Sequence, residues 1–533
     1  MTPPSDRPID SQVAIGNQVV PSPDAAGMAQ LEDEVFRTDH LVKDLGGRAF
    51  SGSFVTAVSQ AVRFGLYMAS TIVLARLLSK EDFGLVAMVG ALTSILRVFR
   101  EAGLSTATMQ KERITHAQVS NLFWINVALG AGAALVGAAL APGVAWFFRD
   151  QRLVWITIGL TLTFLFSGSS VQHLALLNRD MRFKALALID VGATALGAGV
   201  GVIMAMTGWG YWSLVASQVA MALAEMVLAW TLSRWRPQLP RARAGTRSMV
   251  RFGASLTFST LLRRLTGGAD SLLIGRFWGA EPLGLYSRGM ALLMRPLDQL
   301  VVPFDIVFIP VLSRLQAQPE RYRSTYLQVF GAIALVSFPL AGLLLSLSRP
   351  LVLLMLGPRW DQVTPIFAAL SVTALYYPVA CTTVWLPTTQ QRNRDIVVLG
   401  VIISSIPVAA YLAGLPFGAA GVAWSFSLSG LLVRWPLQLH IVGRAGAVSR
   451  GDLWRAFLTY LPSWAAVAGS VYCTYLLVPS ASPAAQILCC TPVGLLAALG
   501  VAFLMPAQRI IALKLVRRAT EVLSAKFRAD RPA

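Results

Sequence analysis

Five arginines lie where arginine is costly. Arg63, Arg263, Arg264, Arg288 and Arg295 all fall inside apolar runs, and a charged side chain at mid-bilayer costs about 2.5–3.5 kcal/mol on insertion scales. Guanidinium is flat, permanently charged and matched to paired phosphate oxygens. Retained together at mid-depth, these residues are candidate binding groups for a doubly anionic ligand such as a diphosphate headgroup. Carboxylates accompany them. Asp270, Asp298, Asp305 and Glu101 are candidates for charge balance, or for coupling by relaying H⁺ or holding Na⁺. Asp190 and Glu225 are weaker candidates of the same kind. Structural Arg–Asp pairing between helices is the competing reading. Arg97, Arg100 and Arg434 lie near helix ends, where a guanidinium can snorkel to the interface.

The spacing adds direction. Arg288, Arg295, Asp298 and Asp305 share one run. On a helix they cover an arc of about 100°, so that face is expected to meet water, a partner charge or a ligand. Other chemistry is missing. The sequence contains no GxxxxGK[ST], HExxH or GxSxG pattern, which argues against P-loop hydrolysis, zinc proteolysis and serine hydrolysis. The four cysteines form no CxxC and the four histidines show no ligand spacing. The expectation is therefore no catalytic residue, no metal site and no cofactor apart from a coupling ion.

The elements that position these charges are membrane helices. The chain is 55% hydrophobic and 13% charged, with mean hydropathy +0.61, against roughly 25% charge in soluble domains. Apolar runs of helical spanning length recur along it, and the reading is an all-α integral membrane protein of about 14 transmembrane helices. Placing the N-terminus in the cytoplasm puts most of the 45 Lys and Arg on cytoplasmic segments, as the positive-inside rule requires. Both termini are then cytoplasmic. The net charge of +19 faces an anionic leaflet rather than a nucleic acid.

One phrase occurs twice. Arg76, Glu81, Gly84 and Leu85 are echoed by Arg276, Glu281, Gly284 and Leu285, and Arg63 by Arg263. Six predicted helices separate the copies, so the two halves run parallel, related by a pseudo-twofold axis along the membrane normal with a cavity between lobes. The expected organisation is a disordered cytoplasmic tail (1–49), an N-terminal six-helix lobe (50–233), a basic cytoplasmic linker (234–251) and a C-terminal six-helix lobe (252–442). Two extra transmembrane helices (453–505) and a basic amphipathic cytoplasmic tail (506–533) follow. The seventh and eighth helices are expected at about 252–275 and 284–312. No loop is large enough for a sugar-processing domain, which counts against a membrane enzyme.

Several stretches resemble the polysaccharide-transporter family of Wzx-type flippases, within the superfamily that also holds multidrug exporters and the lipid II flippase. They are Ala75-Arg76-Leu77-Leu78 with Glu81-Asp82-Phe83-Gly84, Ala102-Gly103-Leu104, Leu122-Phe123-Trp124-Ile125-Asn126, Asn178-Arg179-Asp180-Met181-Arg182-Phe183, Leu283-Gly284-Leu285-Tyr286-Ser287-Arg288 and Phe308-Ile309-Pro310-Val311-Leu312-Ser313-Arg314-Leu315. The resemblance covers roughly residues 50–440. It implies a transporter, not an enzyme, that flips undecaprenyl-diphosphate-linked oligosaccharide across the bacterial inner membrane for exopolysaccharide, capsule or O-antigen assembly. It also implies membrane lipid and the polysaccharide polymerase and export machinery as partners. A small-molecule exporter of the same superfamily and a membrane enzyme of glycan assembly are the alternatives.

Overall fold

The computed structural model describes residues 45–101, 104–111, 114–241, 246, 249–250, 267–479, 482–514, 517 and 520. Most of the expected N-terminal tail, the pair Arg263 and Arg264, and most of the C-terminal tail lie outside the described residues.

Every described element is helical. The first group comprises α1 (Leu45–Leu77), α2 (Lys80–Glu101), the short α3 (Leu104–Gln110), α4 (His116–Phe148), α5 (Arg152–Arg179), α6 (Phe183–Met206) and α7 (Trp212–Leu232). The second comprises α8 (Ala269–Trp278), α9 (Ala280–Arg314), α10 (Pro319–Ser346), α11 (Ser348–Met355), α12 (Thr364–Thr383), α13 (Trp385–Thr389), α14 (Asn393–Gly414), α15 (Gly418–Ser429) and α16 (Trp435–Val442). A π-helical turn, Gly430–Arg434, joins α15 to α16. Finally α17 (Arg450–Leu477) and α18 (Pro483–Leu504) pack on α10 and on one another.

Among the described residues, ten stretches are long and apolar enough to cross a membrane. Their outer faces carry large apolar side chains open to the surroundings, including Leu135, Trp146, Trp155, Ile203, Leu432, Leu488 and Leu496. A soluble protein rarely exposes apolar surface so widely; these faces are built for lipid. The chain is a multi-pass membrane protein. The expected eighth helix is present with slightly wider bounds, whereas most of the expected seventh lies in 251–266, outside the described residues.

Association between helices in lipid depends on close packing and small residues rather than on hydrophobic burial. In α6, Ala193, Gly197, Gly201 and Ala205 are buried at four-residue spacing, one face of a helix. A Cβ on Gly197 would meet the Ser217 carbonyl at 2.8 Å, so that stripe is what lets α7 lie tightly against α6.

The start of the linker is structured. Trp235 is buried among His116, Phe123 and His173. Arg236 donates to the Trp230 carbonyl, and the Asn121 amide donates to the Arg241 carbonyl at 2.7 Å. The basic segment is therefore bound along the end of the first lobe as far as Arg241.

Candidate functional site

The repeated phrase is a helix start, and its two copies meet. In the first copy Ser79 and Asp82 cap α2 reciprocally: Asp82 Oδ2 accepts from the Ser79 amide at 2.9 Å, and Ser79 Oγ accepts from the Asp82 amide at 3.1 Å. This is the capping-box pattern that opens helices. The second copy has Gly279 at the matching position with φ 85°, a conformation glycine reaches without strain. α9 therefore starts directly after α8.

The fifth residue of each helix is the glycine that the two copies share. A Cβ on Gly84 would fall well inside 3.0 Å of the Ala280 carbonyl, and one on Gly284 well inside 3.0 Å of the Lys80 carbonyl. The reciprocity is that of a twofold axis: each helix start lies in the notch left by the other's missing side chain. The two arginines follow the same rule. Arg76 donates to the Leu354 carbonyl in the second lobe at 3.0 Å, and the Arg276 guanidinium lies 5.7 Å from the Phe147 ring centroid in the first.

Around the crossing runs a rim of polar contacts. Lys80 Nζ is 3.3 Å from Glu281 and donates to Gln362 at 2.7 Å. Arg152 pairs with Glu81 at 2.5 Å and with Asp150 at 2.7 Å, and its donated hydrogen bonds hold the Asp150 carboxyl below the usual carboxylate range. Trp360 donates to the Ala75 carbonyl at 2.7 Å and stands edge-on to Phe83. Exposed ion pairs are each worth about 0–1 kcal/mol, so the seal rests mainly on the glycine crossing and the aromatic packing. We call this side of the molecule the repeat face.

Directly beneath the crossing lies a cavity of about 370 Å³. Its cationic wall comes from α9, where Arg288 and Arg295 line it. Both guanidiniums cross the lobe boundary to lie over aromatic faces of the first lobe. Arg288 is 4.4 Å from the Phe83 ring centroid and Arg295 5.0 Å from that of Tyr67. Cation–π contact holds a guanidinium by its face and leaves its in-plane N–H donors free. Arg288 Nε makes no hydrogen bond within the described residues. None of the ion pairs among those residues joins either arginine to a carboxylate.

The other expected site residues are placed differently. Arg63 does not line the cavity; it faces Asp190 across 4.0 Å, both half exposed. The single charged stripe expected on α9 divides. Asp298 and Asp305 face their own lobe, Asp298 accepting from the Tyr377 hydroxyl at 2.8 Å and Asp305 from the Trp385 indole at 2.7 Å. Asp270 is buried and accepts from the Ser271 amide at 2.7 Å. Arg434 does not snorkel: it is buried, donates to the Tyr376 hydroxyl at 2.7 Å and lies over Phe426. The side chains of Glu101, Arg97 and Arg100 lie outside the described residues. Sequence reasoning missed that Lys80 and Trp360 bridge the lobes, that Arg152 braces the first lobe beside them, and that neutral polar residues line the cavity.

Residues 73–365 match the family model described as polysaccharide biosynthesis protein, a span holding both copies of the phrase and both cavity arginines. The chain belongs to that family. Among its relatives are the teichuronic acid biosynthesis protein TuaB of Bacillus subtilis and the lipopolysaccharide biosynthesis protein WzxC of Escherichia coli. The first is 27% identical over 53% of this chain and 59% of its own length; the second is 23% identical over 62% and 67%. The chain thus spans about three fifths to two thirds of these relatives. In three dimensions it is similar to the lipid II flippase MurJ in an inward closed conformation, with TM-score 0.69 and 13% identity over 86% of this chain and 100% of that one. The polysaccharide biosynthesis family member described here therefore shares the fold of that flippase structure.

Proposed function

We propose that this protein is a flippase that moves undecaprenyl-diphosphate-linked oligosaccharide across the bacterial inner membrane, for exopolysaccharide, capsule or O-antigen assembly. The observation that carries the reading is the pair of cavity guanidiniums, Arg288 and Arg295, held by aromatic faces and unmatched by carboxylates. A cation drawn from water without a partner is costly; Arg288 is half-buried with its Nε unbonded among the described residues, Arg295 is exposed, and a diphosphate supplies the missing charge in a geometry that guanidinium suits. Family membership and the transporter fold support the same direction. The cavity lies at the lobe boundary, closed above by the glycine crossing, as alternating access around a central site requires.

In this reading the repeat face is extracytoplasmic, both termini are cytoplasmic, and the lipid is loaded from the cytoplasmic side. Asp270, Asp298 and Asp305 are the carboxylates available for coupling to H⁺ or Na⁺, and polymerase and export machinery consume the product. The test replaces Arg288 and Arg295 by Gln, singly, in a strain lacking the native gene. Each variant stays in the membrane at the native level, export is lost, and diphosphate-linked glycan accumulates on the cytoplasmic leaflet. Full export by both variants removes the assignment.

A further inference from the structure

The cavity has a second wall of opposite character. Facing the α9 arginines are Ser70 of α1, Thr194 of α6, and Ser217 and Gln218 of α7. Among the described residues on the lining, the charged ones are the two arginines. The wall is nevertheless rich in hydrogen-bonding capacity. Ser70 and Thr194 donate their hydroxyl hydrogens to the carbonyls of Tyr67 and Asp190, which leaves their oxygens as acceptors. Ser217 and Gln218 make no hydrogen bond to another described residue and are half-buried, so a hydroxyl and a primary amide stand ready with both donors and acceptors. Half-buried polar groups facing a cavity can exchange hydrogen bonds to water for hydrogen bonds to a ligand.

We propose that this wall is the sugar-reading face of the cavity, and that it takes the neutral sugar attached directly to the diphosphate. The inference rests on the flippase reading above and extends it to specificity. Three features lead to it. Hydroxyls and an amide are the complement of a polyhydroxyl ligand, and an unpaired polar group rejects a ligand that lacks the matching partner far more strongly than an apolar pocket does. Among the described residues, an acidic sugar would find no cation on α1, α6 or α7 within the lining. Size sets the reach: at about 370 Å³ the cavity is at the small end of ligand pockets, which run roughly 300–1,000 Å³. Diphosphate and first sugar fill it, and the rest of the glycan lies outside.

The division of labour is testable on the purified full chain in lipid nanodiscs. The two probes are a short polyprenyl diphosphate and the same lipid bearing one neutral hexose. Combining Ser217→Ala with Gln218→Met, which keeps volume and removes the amide, weakens the glycosylated probe by roughly tenfold, the scale of one or two lost hydrogen bonds. Affinity for the bare diphosphate is unchanged, which also reports that the variant is folded. Arg295→Gln weakens both probes by the same factor. If the double variant does not fold, Thr194→Val on the neighbouring helix gives the same readout. The proposal is overturned if the wall variants weaken both probes equally or neither. A native protein that binds the bare diphosphate no better than the polyprenyl alcohol instead overturns the diphosphate reading, and the sugar wall with it.

Discussion

Replacing Gly84 by Ala tests how the lobes are sealed. A methyl there would have to occupy space already taken by the Ala280 carbonyl oxygen and carbon, and the obstacle is backbone rather than a side chain that could rotate away. To restore even a 3.0 Å approach the two helix starts must separate by more than an ångström. Overpacking of this kind costs about 1–3 kcal/mol. The methyl is unhindered once the lobes part at this face, so the cost falls on the sealed state alone and shifts the equilibrium roughly 5- to 150-fold toward opening. The assay uses a background without the four native cysteines and places a reporter at Ser70→Cys in the cavity, labelled by a membrane-impermeant thiol reagent from the repeat face. Gly84→Ala raises the labelling rate within that range and lowers export. Gly284→Ala does the same through Lys80, and the pair gives less than the sum because both act on one crossing. Native labelling and native export in both single variants would refute the idea that the glycine notch closes this face.

Two further predictions concern the rim. Exchanging Lys80→Glu with Glu281→Lys restores a pair that either change alone breaks. Because Glu281 is more than half exposed, each single variant should raise repeat-face labelling by at most about fivefold, within the 0–1 kcal/mol range of exposed pairs, and the double variant should return to the native rate. Asp150 supplies a pH dependence. Its carboxyl is held below 3.8 by Arg152, so its contribution is complete above that value and is lost as pH falls through the lowered one. The thermal stability of the protein is thus expected to be flat between pH 5 and 8 with respect to this group (a window set by about one unit above the usual carboxylate range) and to fall only in stronger acid, because the pair with Arg152 lies within the first lobe. Asp150→Asn should remove that acid loss.

Much of the architecture was legible in the chain. Apolar runs of spanning length identify membrane helices because nothing else satisfies backbone polar groups in hydrocarbon. The repeat of Arg, Glu, Gly and Leu marked two parallel halves, and the cost of charge in lipid drew attention to five arginines, of which Arg288 and Arg295 line the cavity, Arg63 does not, and Arg263 and Arg264 lie outside the described residues. Helical periodicity placed Arg288, Arg295, Asp298 and Asp305 on neighbouring faces, but it could not say that a lobe boundary runs between them. The arginines face the first lobe and the aspartates face Tyr377 and Trp385 of their own. Arg434 was misread for a related reason: depth along a helix says nothing about whether that face is covered. The neutral wall of Ser70, Thr194, Ser217 and Gln218 left no trace, since hydroxyls and amides are common in apolar helices and carry no charge to betray them.

Local chemistry therefore determined what each segment is: its helical state, its length, its cap, and the price of its charges. Those properties depend on residues a few positions apart. Which surfaces meet was decided only in three dimensions, where phrases 200 positions apart interlock at Gly84 and Gly284. Contact between halves depends on the shape of two assembled lobes, and a missing side chain becomes a notch only when another backbone arrives to fill it.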